Sequence, residues 1–258
     1  MTLLVEQRGA VLHVRLNRPE VHNALDGDLI AALGDCLSRI EPAHTRALVL
    51  AGEGPSFCAG ADLTWLRSVR DWSHDEHVAD AGRLFDMLSA LDSCPVPTVA
   101  RVHGAALGGG MGLIACCDVV VAAQDARFGF TEAKLGLLPA VISPFAIAKI
   151  GAGHARALFA TAERFDAARA EKIGLVHHVV PAADLDDAVE TVADHLLSSA
   201  PGAAAGARHL IGEVAGKPLD RVREYVVAEN AWRRTGPEGQ EGMAAFLEKR
   251  RPSWTKDR

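Results

Sequence analysis

Long apolar runs are missing from this chain. Its longest apolar stretches are broken by Gly, Arg or Asp well short of the roughly 18 residues that a membrane-crossing helix needs, so no span is expected. Aromatic residues are scarce at 5%, with a single tyrosine, and no block of basic residues occurs. Lys and Arg number 27 against 33 Asp and Glu, a net charge of −6. A mildly acidic chain with so few stacking side chains argues against nucleic acid as the main partner. A local cationic pocket for a phosphorylated small molecule stays open. The five cysteines, Cys36, Cys58, Cys94, Cys116 and Cys117, are scattered and form no CxxC pair. That count argues against a disulfide framework or a zinc site and suits a reducing compartment, so a cytoplasmic protein is expected. Residues Met1-Thr2-Leu3-Leu4-Val5-Glu6 run straight into a strand pattern, with no basic segment followed by an apolar one, so no secretory signal is read there.

What is present is ample apolar side chain. The 258 residues are 49% hydrophobic with a mean hydropathy of +0.10, which excludes a disordered chain. At this length folding buries roughly 70–75% of the unfolded surface. Leu4–Glu6 and Val11–Leu16 read as a hairpin, with Leu12, Val14 and Leu16 alternating against His13 and Arg15. Asp26 caps a helix whose apolar positions are Leu29, Ile30, Leu33, Leu37 and Ile40. Arg46–Ala51, Thr98–Val102 and Val119–Ala122 read as buried strands, and a helix carries Phe85, Leu88 and Leu91. This is an α/β pattern. After Asp184 it turns helical, with segments at Leu185–Leu197, Ala203–Val214, Leu219–Trp232 and from Pro237 through Lys249. A core over residues 1–183 and a helical region over 184–258 follow. The apolar face of Val189, Val192, Leu196 and Leu197 is expected to need cover from another subunit.

Three segments carry chemistry. In His103-Gly104-Ala105-Ala106-Leu107-Gly108-Gly109-Gly110-Met111-Gly112, five glycines in nine positions stand between an apolar strand and an apolar helix. Such a turn lets backbone N–H groups approach a ligand and makes an oxyanion or phosphate site; close helix–strand packing is the plainer reading. It is neither a P-loop nor a dinucleotide fingerprint. Ser56-Phe57-Cys58-Ala59-Gly60-Ala61-Asp62-Leu63 is a second small-residue turn after a strand, and could equally be a helix start capped by Asp62. Two such turns can aim two N–H groups at one carbonyl oxygen. In Phe128-Gly129-Phe130-Thr131-Glu132-Ala133-Lys134, Glu132 sits among apolar residues, where burial would raise its pKa and suit it to acid–base work; a surface pair with a nearby lysine is the alternative.

In this order and spacing the three segments resemble the enoyl-CoA hydratase/isomerase (crotonase) superfamily. So does the opening Asn17-Arg18-Pro19-Glu20-Val21-His22-Asn23-Ala24-Leu25, and the resemblance runs from about Leu3 to Trp254. It implies a crotonase-like spiral of ββα units with a C-terminal helical trimerisation region, as a rule a hexamer made of two trimers. It implies an acyl-CoA thioester substrate whose carbonyl is held by the N–H groups of Ala61 and Gly109. Coenzyme A is then part of the substrate, and neither metal nor redox cofactor is called for. The CoA end would lie near Val21, Ala24 and the turn of Ala59, Gly60, Asp62 and Leu63. Phe246 and Lys249 match the spacing of a Phe and a basic residue that hold CoA from the C-terminal helix.

One position departs from the pattern. Two-carboxylate hydratases carry a second Glu where this chain has Gly112, so Glu132 stands alone and Gly112 is expected to leave room for the acyl group. A single carboxylate is also the pattern of Δ3,Δ2-enoyl-CoA isomerases. The run Thr131–Phe145 and Gly112-Leu113 instead resemble the bacterial methylglutaconyl-CoA and isohexenylglutaconyl-CoA hydratases, which implies a branched enoyl-CoA of leucine or isoprenoid breakdown. A catalytically silent CoA-binding oligomer is the third possibility, and the presence of Glu132 argues against it. For a distal acyl carboxylate, Arg67, Arg70 and Lys134 are the candidate cations. His74-Asp75-Glu76-His77 has metal-ligating residue types but reads as a solvated, polar, mobile stretch; the resemblance implies instead a wall or lid of the acyl pocket formed by Trp65–His77. His177 and His178 would point to opposite faces. Cys116 and Cys117 read as core, and Ser143 lacks a nucleophile elbow.

Overall fold

The computed structural model describes residues 1–255. The N-terminal hairpin is formed by β1 (Leu3–Arg8) and β2 (Val11–Leu16), paired antiparallel. Val11, Val14 and Leu16 are buried, while His13 and Arg15 are half-buried. The Asp26 carboxylate accepts the Leu29 N–H at 2.9 Å and starts α1 (Gly27–Ser38), whose Leu29, Ile30, Leu33 and Leu37 are buried. In β3 (Ala47–Gly52) all six residues are buried, as a strand covered on both faces requires. Next come α2 (Leu63–Ser68), α3 (His74–Asp92), β4 (Thr98–Val102), β5 (Ala105–Leu107), α4 (Gly109–Cys116), β6 (Val119–Ala123) and β7 (Arg127–Gly129). They are followed by α5 (Ser143–Thr161), β8 (Phe165–Asp166), α6 (Ala167–Lys172) and β9 (His178–Val180).

The strands form two sheets. The larger has the order β1-β2-β3-β4-β6-β9 and is parallel from β2 onward; the smaller has the order β5-β7-β8. Each turn of the chain places a strand in the first sheet, a short segment at the second, and then a helix. This is the spiral of ββα units that the resemblance implies. One core lies between the sheets and helices and includes Leu16, Leu50, Phe57, Leu88, Met111 and Phe128, with Cys116 and Cys117 buried in it.

The helical region differs from expectation at its start. α7 (Leu185–Ser198) packs on the outer face of the large sheet, where Leu185, Val189 and Ala193 meet Val49, Val99 and Val121. Val192, Leu196 and Leu197 pack partly into the same cluster. The apolar face of α7 is therefore covered within the chain. The uncovered apolar surface lies further on, in α8 (Pro201–Val214), α9 (Leu219–Thr235) and α10 (Pro237–Leu247), where Ile211, Leu219, Val227, Trp232, Met243 and Leu247 are exposed. Arg208 of α8 ties this region to the core through Asp118 and Thr98, the latter at 3.1 Å.

Candidate active site

Backbone pairing aims the first N–H. On one side of the 57–62 segment, Cys58 donates to Ala105 O at 3.0 Å and accepts from Leu107 N at 2.9 Å. On the other side, Leu25 N donates to Gly60 O at 2.7 Å and Asp62 N donates to Leu25 O at 2.9 Å. This is a parallel bridge between Leu25 and Ala61. In such a bridge the flanking residues make the hydrogen bonds, so Ala61 turns its own N–H away from Leu25. Gly109 opens α4, and its N–H belongs to the helix N-terminal amides that have no intrahelical acceptor. Among the described residues neither N–H donates to a backbone acceptor.

Two glycines let the turns meet. Gly60 has φ +95, and a methyl on it would lie 2.9 Å from Leu107 O and 3.4 Å from Gly109 N. Gly108 has φ +48 and ψ −118, outside any helix conformation, and hands the chain from β5 into α4. The glycine-rich segments are thus also close-packed, and the same packing brings the two N–H-bearing turns together.

Glu132 begins a short 3-10 turn, Glu132–Leu135. A methyl on Gly108 would lie 3.4 Å from its Oε1, so the carboxylate abuts the turn that leads into Gly109. Its Oε2 is buried and has no hydrogen-bond partner among the described residues. Burial raises the Glu132 pKa, partly offset by the residue's own backbone N–H. Among the described residues Glu132 forms no ion pair with a lysine, and Lys134 is exposed.

The Asn17–Leu25 segment contributes in a way the sequence did not reveal. The Arg18 guanidinium bonds Asp26 at 2.8 Å, Asp62 at 2.8 Å and Ala24 O at 2.5 Å. Asp62 Oδ1 meanwhile accepts the Thr64 and Trp65 N–H groups and caps α2. Burial alone would raise the Asp62 pKa; Arg18 and the two amides outweigh it and hold the carboxyl below its usual range. Asp62 and Ala24 were expected to touch CoA. The Asp62 oxygens and the Ala24 carbonyl are engaged within the chain. Val21 ends a 3-10 turn and is half-buried, as is Ala59, and Leu63 is exposed. Phe246 is 83% exposed on α10, which packs against α9, and Lys249 follows at φ 55.

Gly112 also differs from expectation. A Cβ there would sit 2.5 Å from Ile142 Cγ2 and 3.4 Å from Leu88 Cδ1. The missing side chain makes room for buried Ile142, not for an open acyl cavity. Gly112→Ala should destabilise the protein by about 1–3 kcal/mol, because a β-branched neighbour has little freedom to retreat. Adding Ile142→Ala should recover part of that loss in a denaturant melt; a single variant as stable as wild type would contradict the packing. Gly112→Glu meets the same obstacle before any substrate is involved.

The remaining candidates resolve simply. His74–His77 is the first turn of α3. Ser73 and Glu76 form a capping box there, which takes Glu76 out of any ligand set. Trp72 links this turn to Trp65, with ring centroids 5.6 Å apart. No group of three or more His, Cys, Asp or Glu among the described residues is placed to hold a metal. His177 Nδ1 accepts the Val120 N–H, and the Ser143 hydroxyl donates to Ala140 O at 2.7 Å. Arg70 pairs with Asp71; Arg67 is exposed.

Comparison with known proteins points the same way. Residues 6–257 match the family model described as enoyl-CoA hydratase/isomerase. A crotonyl-CoA hydratase of Syntrophomonas wolfei is 32% identical over 253 residues, covering 96% of this chain and 95% of the relative. A solved enoyl-CoA hydratase from Shewanella pealeana is 37% identical with a TM-score of 0.93, covering 98% of this chain and 96% of its own. Pseudomonas aeruginosa AtuE is 36% identical with a TM-score of 0.95, covering 99% and 100% respectively.

Proposed function

Because the chain belongs to the enoyl-CoA hydratase/isomerase family, we propose that it is a hydratase that adds water to the double bond of an α,β-unsaturated acyl-CoA. The observation that carries this reading is the half-buried Glu132 carboxylate, whose Oε2 has no hydrogen-bond partner among the described residues, set against the turn that leads into Gly109. The Ala61 and Gly109 N–H groups polarise the thioester carbonyl, which makes the β-carbon electrophilic. Glu132 takes a proton from water, and the hydroxide adds at the β-carbon. The electron pair moves onto the thioester oxygen, where the two N–H groups stabilise it. The enolate then collapses, and the Glu132 carboxyl returns its proton to the α-carbon. One raised-pKa carboxylate can serve both transfers because it is base in the first and acid in the second. A catalytically silent protein has no use for a carboxylate oxygen buried without a partner among the described residues, which costs stability.

The acyl group we propose is branched, such as 3-methylglutaconyl, on the likeness of Thr131–Phe145 to hydratases of that kind. Exposed Arg67 and Lys134 are the cations on hand for a distal carboxylate. The lone carboxylate favours one rival, a Δ3,Δ2-enoyl-CoA isomerase in which Glu132 moves a proton between the α- and γ-carbons. Incubation with crotonyl-CoA, 3-methylglutaconyl-CoA and a 3-enoyl-CoA separates the two. Hydration removes the enoyl-thioester absorbance and adds the mass of one water; isomerisation of the 3-enoyl-CoA creates that absorbance at constant mass. Isomerisation without hydration of either conjugated substrate would overturn the proposal. The apolar surface of α8–α10 is proposed as the contact for a trimer or a dimer of trimers. In that assembly Phe246 and Lys249 would reach a neighbouring subunit's CoA, and a monomer by light scattering at micromolar concentration would rule this out.

A further inference from the structure

The Ala59-Gly60-Ala61 turn carries no side chain large enough to anchor itself. Its position must come from elsewhere, and the Arg18 guanidinium grips both strands of the bridge that orients the Ala61 N–H. On one strand it holds Ala24 O and the Asp26 carboxylate, the residues on either side of Leu25. On the other it holds Asp62, the residue after Ala61. Leu25 and Ala61 are the bridged pair.

The grip is stiff for three reasons. The Arg18 and Asp26 side chains are only 16% exposed and that of Asp62 8%, so the ion pairs are little screened by water. Each carboxylate also caps a helix, Asp26 with α1 and Asp62 with α2, and each helix N-terminus stabilises its charge. Arg18 itself is tied to the loop that follows β3: its backbone N–H donates to Asn23 Oδ1 at 2.8 Å, and the fully buried Asn23 donates to Glu53 O and Ser56 O.

We infer that Arg18 is a positioning residue that sets the direction of the thioester-polarising Ala61 N–H by clamping Ala24, Asp26 and Asp62 around the Leu25–Ala61 bridge. The inference rests on the reading of Ala61 and Gly109 as the carbonyl-binding pair. Three acceptors on two chain segments call for a planar fork with several fixed donors. A lysine ammonium is a point charge on a flexible stem and reproduces the charge but not the geometry.

The test uses para-dimethylaminocinnamoyl-CoA, a push–pull chromophore whose absorption moves to the red as its thioester carbonyl is polarised. Wild type should shift the band on binding. Arg18→Met should lose most of the shift and lower kcat by about 10²-fold, the scale of an ångström-level misplacement, with KM changed little. Arg18→Lys should fall between the two. Asp62→Asn keeps the oxygen that caps α2, loses the ion pair, and should behave like Arg18→Met; it carries the test if Arg18→Met does not fold. Arg39→Met, on the exposed surface, should match wild type. A folded Arg18→Met or Asp62→Asn with the full shift and wild-type kcat would overturn the role of Arg18 alone. A wild type that binds the probe without any shift would instead bring down the carbonyl-binding reading, and this inference with it.

Discussion

Glu132→Gln is expected to lower turnover by about 10²–10⁴-fold, the range carried by a positioned acid–base group, without loosening the fold. Glutamine keeps the shape of the side chain and its packing against the Gly108 turn, and removes only the ability to take and return a proton. Acyl-CoA binding should change little, because the carbonyl-binding N–H groups are untouched. The same variant has a stability signature. Burial raises the Glu132 pKa in the folded protein above its value in the unfolded chain. The contribution of this group to stability is therefore fully present below the ordinary carboxylate range and is lost as pH rises through the raised folded value. At neutral pH wild type holds a charge in an unfavourable place, and glutamine relieves it. Calorimetry should find the variant melting above wild type at neutral pH, with the difference shrinking below about pH 4. Wild-type activity should fall as acid protonates the base, with a midpoint above that of an ordinary glutamate. Near wild-type turnover on the true substrate would remove Glu132 from the chemistry, and a variant that melts lower at neutral pH would contradict the burial penalty.

Gly60→Ala tests the other half of the site. Alanine at φ +95 is strained in any surroundings, and its methyl would press on Leu107 O at 2.9 Å and stand 3.4 Å from Gly109 N. Backbone cannot retreat as a flexible side chain can, so the Ala61 turn and the start of α4 must separate. Stability should fall by about 1–3 kcal/mol. Turnover should fall by about 10²–10³-fold, as when one oxyanion donor is lost, and the loss should appear in kcat more than in KM. Kinetics should be measured at a temperature where circular dichroism shows the variant fully folded. Wild-type kcat there would mean that the spacing of the two turns does not govern the reaction.

Much of this molecule was legible in the chain because the signals are local. Asp26 lies three residues from the N–H it caps, and α1 follows the three- and four-residue spacing of Leu29, Ile30, Leu33 and Leu37. The short apolar run Arg46–Ala51 before Gly52 reads as a strand covered on both faces, and β3 is buried at all six positions. The glycine turns stand where a strand ends and a helix begins, and Glu132 stands out as a carboxylate in apolar company. Even here the edges drifted. The last helix stops at Leu247 instead of reaching Lys249, and Phe85 lies 44% exposed, its ring 5.8 Å from Phe145.

What tertiary structure decided involves partners far apart in the chain. Arg18 meets Asp62 across 44 positions, and nothing around Arg18 announces that pairing. Gly112 reads as a gap in the sequence, but whether a gap is open depends on what packs over it, and Ile142 fills it from the residue just before α5. The apolar stripe of α7 fits equally well against another subunit or against the chain's own sheet; the outer faces of β3, β4 and β6 take it. Periodicity and capping act within a few residues and so are written in the sequence itself. A clamp, a filled gap and a covered face each depend on which surfaces the spiral brings together, and that is settled only once every turn of the chain is in place.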